Sequence, residues 1–206
     1  SGRVTISELS IRDMLFEDKR PDTKTPIDLT WPSIPAWAGL IDGSIEELRI
    51  ERLTYHRLAR EPIVLETIGS PVLWERGALL LGKLDAKTPL GTLEGSMVAG
   101  LVRPALRATL FLVPPKAWEG ADRLSLDALF PSVGRSQPLS GQVSVTASRG
   151  KKEWLRLDTK LTVTPQAIDI RDLKLQEAAR GGTINARGQL NFSQVQPTMG
   201  LRVDIS

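Results

Sequence analysis

An apolar pattern that changes phase at its midpoint occurs five times along this chain. The copies are Val4, Ile6, Leu9, Ile11; Leu48, Ile50, Leu53, Tyr55; Leu79, Leu81, Leu84, Ala86; Leu124, Leu126, Leu129, with Pro131 in the fourth place; and Ile168, Ile170, Leu173, Leu175. In each, two apolar positions spaced by two precede a step of three, usually followed by another step of two. A helix turns about 100° per residue, so four such positions scatter around its circumference and make no stripe. A strand alternates faces at every residue, so the spacing of two fits a half-buried strand and the step of three fits one inserted residue. The residues at the step are mostly polar, as in Ser7-Glu8, Glu51-Arg52 and Arg171-Asp172. Each unit therefore reads as a strand with a bulge or kink that keeps one sheet face apolar. Five bent strands in one sheet predict a curved sheet with one concave, apolar face.

Between these units lie turn residues and strict alternators. Pro21 to Pro26 precedes Ile27, Leu29, Trp31, and Arg60-Glu61-Pro62 precedes Ile63, Leu65. Thr88-Pro89-Leu90 leads into Leu93, Gly95, Met97, and Gly134 and Pro138 lead into Val143, Val145, Ala147. Arg180-Gly181-Gly182 leads into Ile184, Ala186, Gly188, Leu190, Phe192. Further alternators are Leu106 to Leu112, Leu155 to Val163, and Leu201, Val203, Ile205. The intervening side chains are largely polar, the pattern of an antiparallel sheet apolar on one side only. About thirteen strands are readable, and open sheets rarely exceed about ten without curling. The pattern allows a closed sandwich, whose core these aliphatics would fill. Periodicity alone favours that packed core, and the folded-over sheet enclosing a trough is the other arrangement it allows. Proline interrupts the stretch from Pro32 to Asp42, which reads as an insert with Trp37 and Leu40 on a short helical turn; residues 116–121 read as another loop.

Composition narrows the function classes. The chain has 206 residues, 41% apolar and 25% charged, with a net charge of +3. That excess is too small to indicate a nucleic-acid surface. Without cysteine, disulfides and thiolate metal sites are excluded. No run approaches the roughly 18 apolar residues of a membrane helix. The chain opens Ser1-Gly2-Arg3 and enters a strand pattern at once, which predicts one segment spanning residues 1–206 of a longer chain, with any membrane anchor outside it.

No catalytic constellation emerges. His56 is the lone histidine, with no nameable orienting partner. Asp169 and Asp172 straddle a kink, and Asp13 and Asp18 do so more loosely, but these are the polar positions of the alternation. The five tryptophans, Trp31, Trp37, Trp74, Trp118 and Trp154, are dispersed. Aligned on one exposed face they would make a sugar-binding platform; Trp118, after Pro114-Pro115, is the candidate for exposure at a membrane or partner. Neither enzyme activity nor a cofactor or metal is expected.

The segment Trp74 to Gly95, with Gly77, Leu84, Pro89, Gly91 and Leu93 at its turning points, resembles the repeat of the TamB family in the AsmA-like superfamily of Gram-negative envelope proteins. Ala167 to Leu175 followed by Gly182 to Leu190 is similar, and Gly43 to Tyr55 resembles half of that unit. The resemblance implies a mainly antiparallel sheet folded into an open β-taco groove with an apolar lumen. It implies a periplasmic segment of a protein anchored in the inner membrane, and a role as a non-enzymatic phospholipid conduit between the two membranes. The alternative it implies is a scaffold for outer-membrane β-barrel assembly, acting with a TamA-type partner through strand addition. The groove residues would be Val4, Ile6, Leu9, Ile11, Leu48, Ile50, Leu53, Leu79, Leu81, Leu84, Leu93, Leu124, Leu126, Val143, Val145, Ile168, Ile170, Leu173, Leu175, Ile184 and Leu190. An acyl chain of about fifteen methylenes costs roughly 12 kcal/mol to expose to water. That slows spontaneous escape by about nine powers of ten. A greasy trough removes most of that cost without any polar constellation.

Overall fold

The computed structural model describes residues 3–18, 28–57, 61–117, 120–178, 181–193 and 198–205. The turn expected at Pro21 to Pro26, the apolar position Ile27, Arg60, Trp118 and Arg180 lie outside them. The described residues form twelve strands: β1 (Arg3–Asp18), β2 (Asp42–Arg57), β3 (Ile63–Glu75), β4 (Ala78–Thr88), β5 (Gly91–Gly100), β6 (Ala105–Val113), β7 (Arg123–Phe130), β8 (Leu139–Arg149), β9 (Lys152–Thr164), β10 (Ala167–Glu177), β11 (Thr183–Asn191) and β12 (Thr198–Ile205). A single turn of 3-10 helix, Ala36–Leu40, carries Trp37 and Leu40 as the sequence predicts.

All twelve strands belong to one sheet, ordered as in sequence from β1 to β12. Every pair is antiparallel except β1 with β2, which run parallel from Arg3 beside Asp42 to Asp18 beside Arg57. Among the described residues the strands make one sheet that does not close, so the closed sandwich allowed by the sequence is not formed there.

The predicted phase changes resolve into register shifts at some positions and not at others. β4 and β5 slip between Leu81 and Leu84, and β10 and β11 slip between Ile170 and Leu173, both at the expected step. In β2 the slip against β3 falls between Ile45 and Leu48, one unit before the step at Ile50. The Ile50-to-Leu53 step is matched in β3 by Ile68-to-Leu65, so the two strands turn together without slipping. Thr67, inside the β3 step, has φ +53, and Lys83 in the β4 step has φ +52. Both are left-handed positions that a non-glycine residue occupies only under strain. The fourth copy is a correction. β7 pairs regularly with both neighbours through Leu124, Leu126 and Leu129. Leu129 therefore lies on the opposite face from Leu126, and Phe130 takes the apolar side.

The accessible surface is 13824 Å². A compact chain of 22.6 kDa would expose about 9,500 Å². One extended layer accounts for the excess. Among the described residues no large side chain is fully buried, and six of the ten buried apolar residues on the strands and loops are alanines of β4, β5, β6, β7, β8 and β11.

Candidate functional site

Residues directly opposite one another across a ladder share a face. The register thus strings side chains into rows that cross the sheet. One row runs Leu84, Gly95, Leu110, Leu126, Val145, Leu157, Leu175, Ile184, Ile205 over nine strands. A second runs Leu81, Met97, Ala108, Ala128, Val143, Thr159, Leu173, Ala186, Val203. The row facing the other way runs Ser96, Thr109, Asp127, Ser144, Asp158, Lys174, Asn185, Asp204. One side of the sheet is a band of aliphatics and the other a band of charges and hydroxyls.

Every residue named above as a groove position falls on the apolar side. Val4, Ile6, Leu9 and Ile11 stand beside Gly43, Ile45, Leu48 and Ile50. Leu53 faces Leu65, Leu79 faces Ala99, and Leu93 faces Leu112, which faces Leu124. Ile168 and Ile170 face Val163 and Leu161 on one flank, and Leu190 faces Ile168 on the other. Ile50 is buried, Val4, Ile6 and Leu9 are exposed at the sheet edge, and the rest are half-buried. Leu106, Leu110, Leu112, Leu155, Leu157, Leu161 and Val163 share this face. Their alternation was legible, but alternation does not say which face a strand presents until its register is known.

Thr159 interrupts the aliphatic row between Val143 and Leu173, is 8% exposed, and its Oγ1 has no hydrogen-bond partner.

A small core gathers on the same face. Ala108, Ala128, Phe130 and Leu139 form it, with Trp31, Val133, Met97, Leu106, Leu110, Leu126, Val143, Leu161 and Val163 packed around them. Trp31 belongs to residues 28–35, which the alternation Ile27, Leu29, Trp31 reads as a strand; no strand forms in the described part. Pro32 and Pro35 lack amide donors, and the segment bonds to turns instead. Leu29 N donates to Pro165 O at 2.8 Å, Trp31 Nε1 to Gly100 O at 2.7 Å, and Ile34 N to Leu101 O at 3.1 Å.

Concavities open on the polar side. One of about 590 Å³ is lined by Arg107, Thr109, Asp127, Gln142, Ser144, Arg156, Asp158, Lys160, Asp172 and Lys174 among others. One ion pair and one hydroxyl bond engage part of its charge. Arg156 donates to Asp158 at 2.8 Å and Thr109 to Asp127 at 2.8 Å. The Arg156 guanidinium holds the Asp158 carboxyl below the usual carboxylate range. Asp169 faces Thr162 and pairs with Arg171 at 3.7 Å, and Asp172 faces Lys160. Among the described residues no three His, Asp or Glu side chains come together as a metal site. Among the described tryptophans, Trp31 packs on the core, Trp74 donates from Nε1 to Ala38 O at 3.0 Å, Trp154 is half-buried and Trp37 stands exposed, settings that do not make one exposed platform. No helix among the described residues is long and apolar enough to cross a membrane.

Compared with known protein families, with curated proteins and with solved structures, the chain matches none.

Proposed function

We propose that this chain is a segment of a phospholipid conduit, in which acyl chains lie on the apolar side of the sheet with headgroups left in water. The observation that carries the reading is the extended, largely aliphatic face, whose one polar interruption in the second row is Thr159. Its rows cross nine strands, about 38 Å at ~4.8 Å per spacing, and among the described residues no second sheet covers them. An apolar area left largely open over that extent marks a binding surface. Branched aliphatics without fixed polar contacts hold hydrocarbon without selecting one lipid, and weak multi-site holding is what passage needs.

Two features support a bent sheet with this face inward. Laid flat, the sheet would separate Asp18 from Pro165 by roughly 60 Å or more, counting strand spacings across it and the length of β1 along it. Yet Leu29 is bonded to Pro165 O, and the eleven steps of chain from Asp18 to Leu29 reach at most ~40 Å. The alanines buried on the apolar face also fit a concave side, where side chains crowd. The resemblance to the TamB family, with its taco-shaped groove, periplasmic location, and anchor in the inner membrane, points the same way. Native mass spectrometry of the purified chain tests the reading. Bound phospholipid is expected, and a ligand-free spectrum after extraction in gentle buffer, with no uptake from vesicles, would contradict it.

A second reading rests on the open edges. β12 pairs only with β11, every described residue of it is exposed, and β1 has only β2 as neighbour. An unpaired edge can template another strand, as a scaffold for outer-membrane barrels with a TamA-type partner requires. Crosslinks from β12 to nascent barrel strands, with no lipid captured, would favour it.

A further inference from the structure

We propose that the segment 28–41 is a displaceable gate on the apolar face, with the Trp31 indole standing where an acyl chain would otherwise lie. The inference rests on the conduit reading and adds a closed state to it. The apolar face is not uniformly open. Toward β12 it is bare, with Met199 65% and Ile205 79% exposed, and toward β1 Val4 is 60% exposed. Between them, over β5 to β9, Trp31 packs into the cluster built on Ala108, Ala128, Phe130 and Leu139. Hydrocarbon moving along the rows from one bare stretch to the other meets the indole midway.

The way the segment is held suits removal. Its backbone and indole donors go to Pro165 O, Gly100 O and Leu101 O, at or beside the turns that follow β9 and β5. In return Trp74 Nε1 donates to Ala38 O, and the Arg135 guanidinium donates to Ile34 O. None of these is a rung of the sheet ladder, so lifting the segment leaves all eleven strand pairings intact. No residue from 28 to 41 is buried, and Trp37 and Leu40 are 63% and 75% exposed. An element that shields apolar surface while being itself little buried opens at low cost compared with the strands beneath it. Acyl chains that prefer the uncovered face then shift the equilibrium toward the lifted state.

The test uses the absence of native cysteine. Ile34→Cys with Leu101→Cys puts a thiol on each residue of the Ile34 N to Leu101 O bond of 3.1 Å, and loss of free thiol on oxidation verifies the crosslink. Transfer of pyrene-labelled phosphatidylcholine is followed between phosphatidylethanolamine/phosphatidylglycerol vesicles, with oxidised and reduced protein. Oxidation is expected to slow transfer about tenfold or more, reversed by dithiothreitol, which leaves the wild type unchanged. Trp31→Ala, which opens the gate without a crosslink, is expected to speed transfer severalfold. Equal rates for oxidised and reduced protein, or a wild-type rate for Trp31→Ala, overturn the gate while leaving the conduit standing. Absence of lipid uptake by wild type and by every variant overturns the conduit, and the gate with it.

Discussion

Ile170 and Leu173 lie three residues apart in β10, yet they face Gly188 and Ala186, which are two apart in β11. The extra residue is absorbed in one strand only, and both aliphatics stay on the same side. Without it Leu173 and Leu175 would turn to the polar side and the apolar rows would end at β9. The same device at Leu81 and Leu84 keeps β4 in phase with β5.

Placing a charge in the apolar rows should abolish lipid binding without unfolding the sheet. Leu84 and Leu173 are half-buried, with no second layer above them. Leu84→Arg and Leu173→Arg are therefore expected to cost at most about 1–2 kcal/mol of stability, because the arginine head can reach water. Phospholipid affinity should fall more than tenfold. Thermal unfolding and vesicle uptake on the same preparations check both halves.

Close ladder contacts make some glycines irreplaceable. A Cβ on Gly95 would lie 2.1 Å from Thr109 O, and one on Gly188 would lie 2.0 Å from Gly200 O. Gly95→Ala and Gly188→Ala are expected to destabilise by about 2 kcal/mol or more. Gly182→Ala, with nothing within 4 Å, should change stability by less than about 0.5 kcal/mol. Denaturant midpoints decide the contrast.

Removing the orphaned hydroxyl of Thr159 should help the fold. Thr159→Val replaces an unpartnered buried oxygen with a methyl group beside Val143 and Leu173. Stability is expected to rise by about 1 kcal/mol, read as a higher midpoint in urea. A fall would mean that the hydroxyl has a partner in solution.

The kink shared by β2 and β3 carries strain that glycine should relieve. Thr67 is β-branched and sits at φ +53. Thr67→Gly is expected to stabilise by about 1 kcal/mol, the lost strain exceeding the added freedom of the unfolded chain. Hydrogen exchange of β2 and β3 amides should slow accordingly.

The alternation and the steps of three made the strands and the apolar side legible before any coordinates. They failed where register decides. In β7 the spacing of Leu126 and Leu129 mimics a kink, but Leu129 turns to the polar side beside Arg107 and Gln142, and Phe130 fills the core. The parallel pairing of β1 with β2 was not legible either, because apolar alternation is blind to strand direction. Trp31 fits an alternator by spacing, and only its bond to Gly100 and its packing against the cluster of Ala108, Ala128, Phe130 and Leu139 reveal it as a cover. The signal available in the sequence was the pair Pro32 and Pro35, which denies that stretch a place in any ladder.

The most direct test of the account is a photo-crosslinking amino acid at Leu81, in the aliphatic row, compared with one at Arg171, which is exposed and lines a concavity on the polar side. In the presence of phospholipid vesicles the account predicts lipid adducts at position 81 and none at 171. Adducts at both positions alike, or at neither while the protein remains folded, would contradict it.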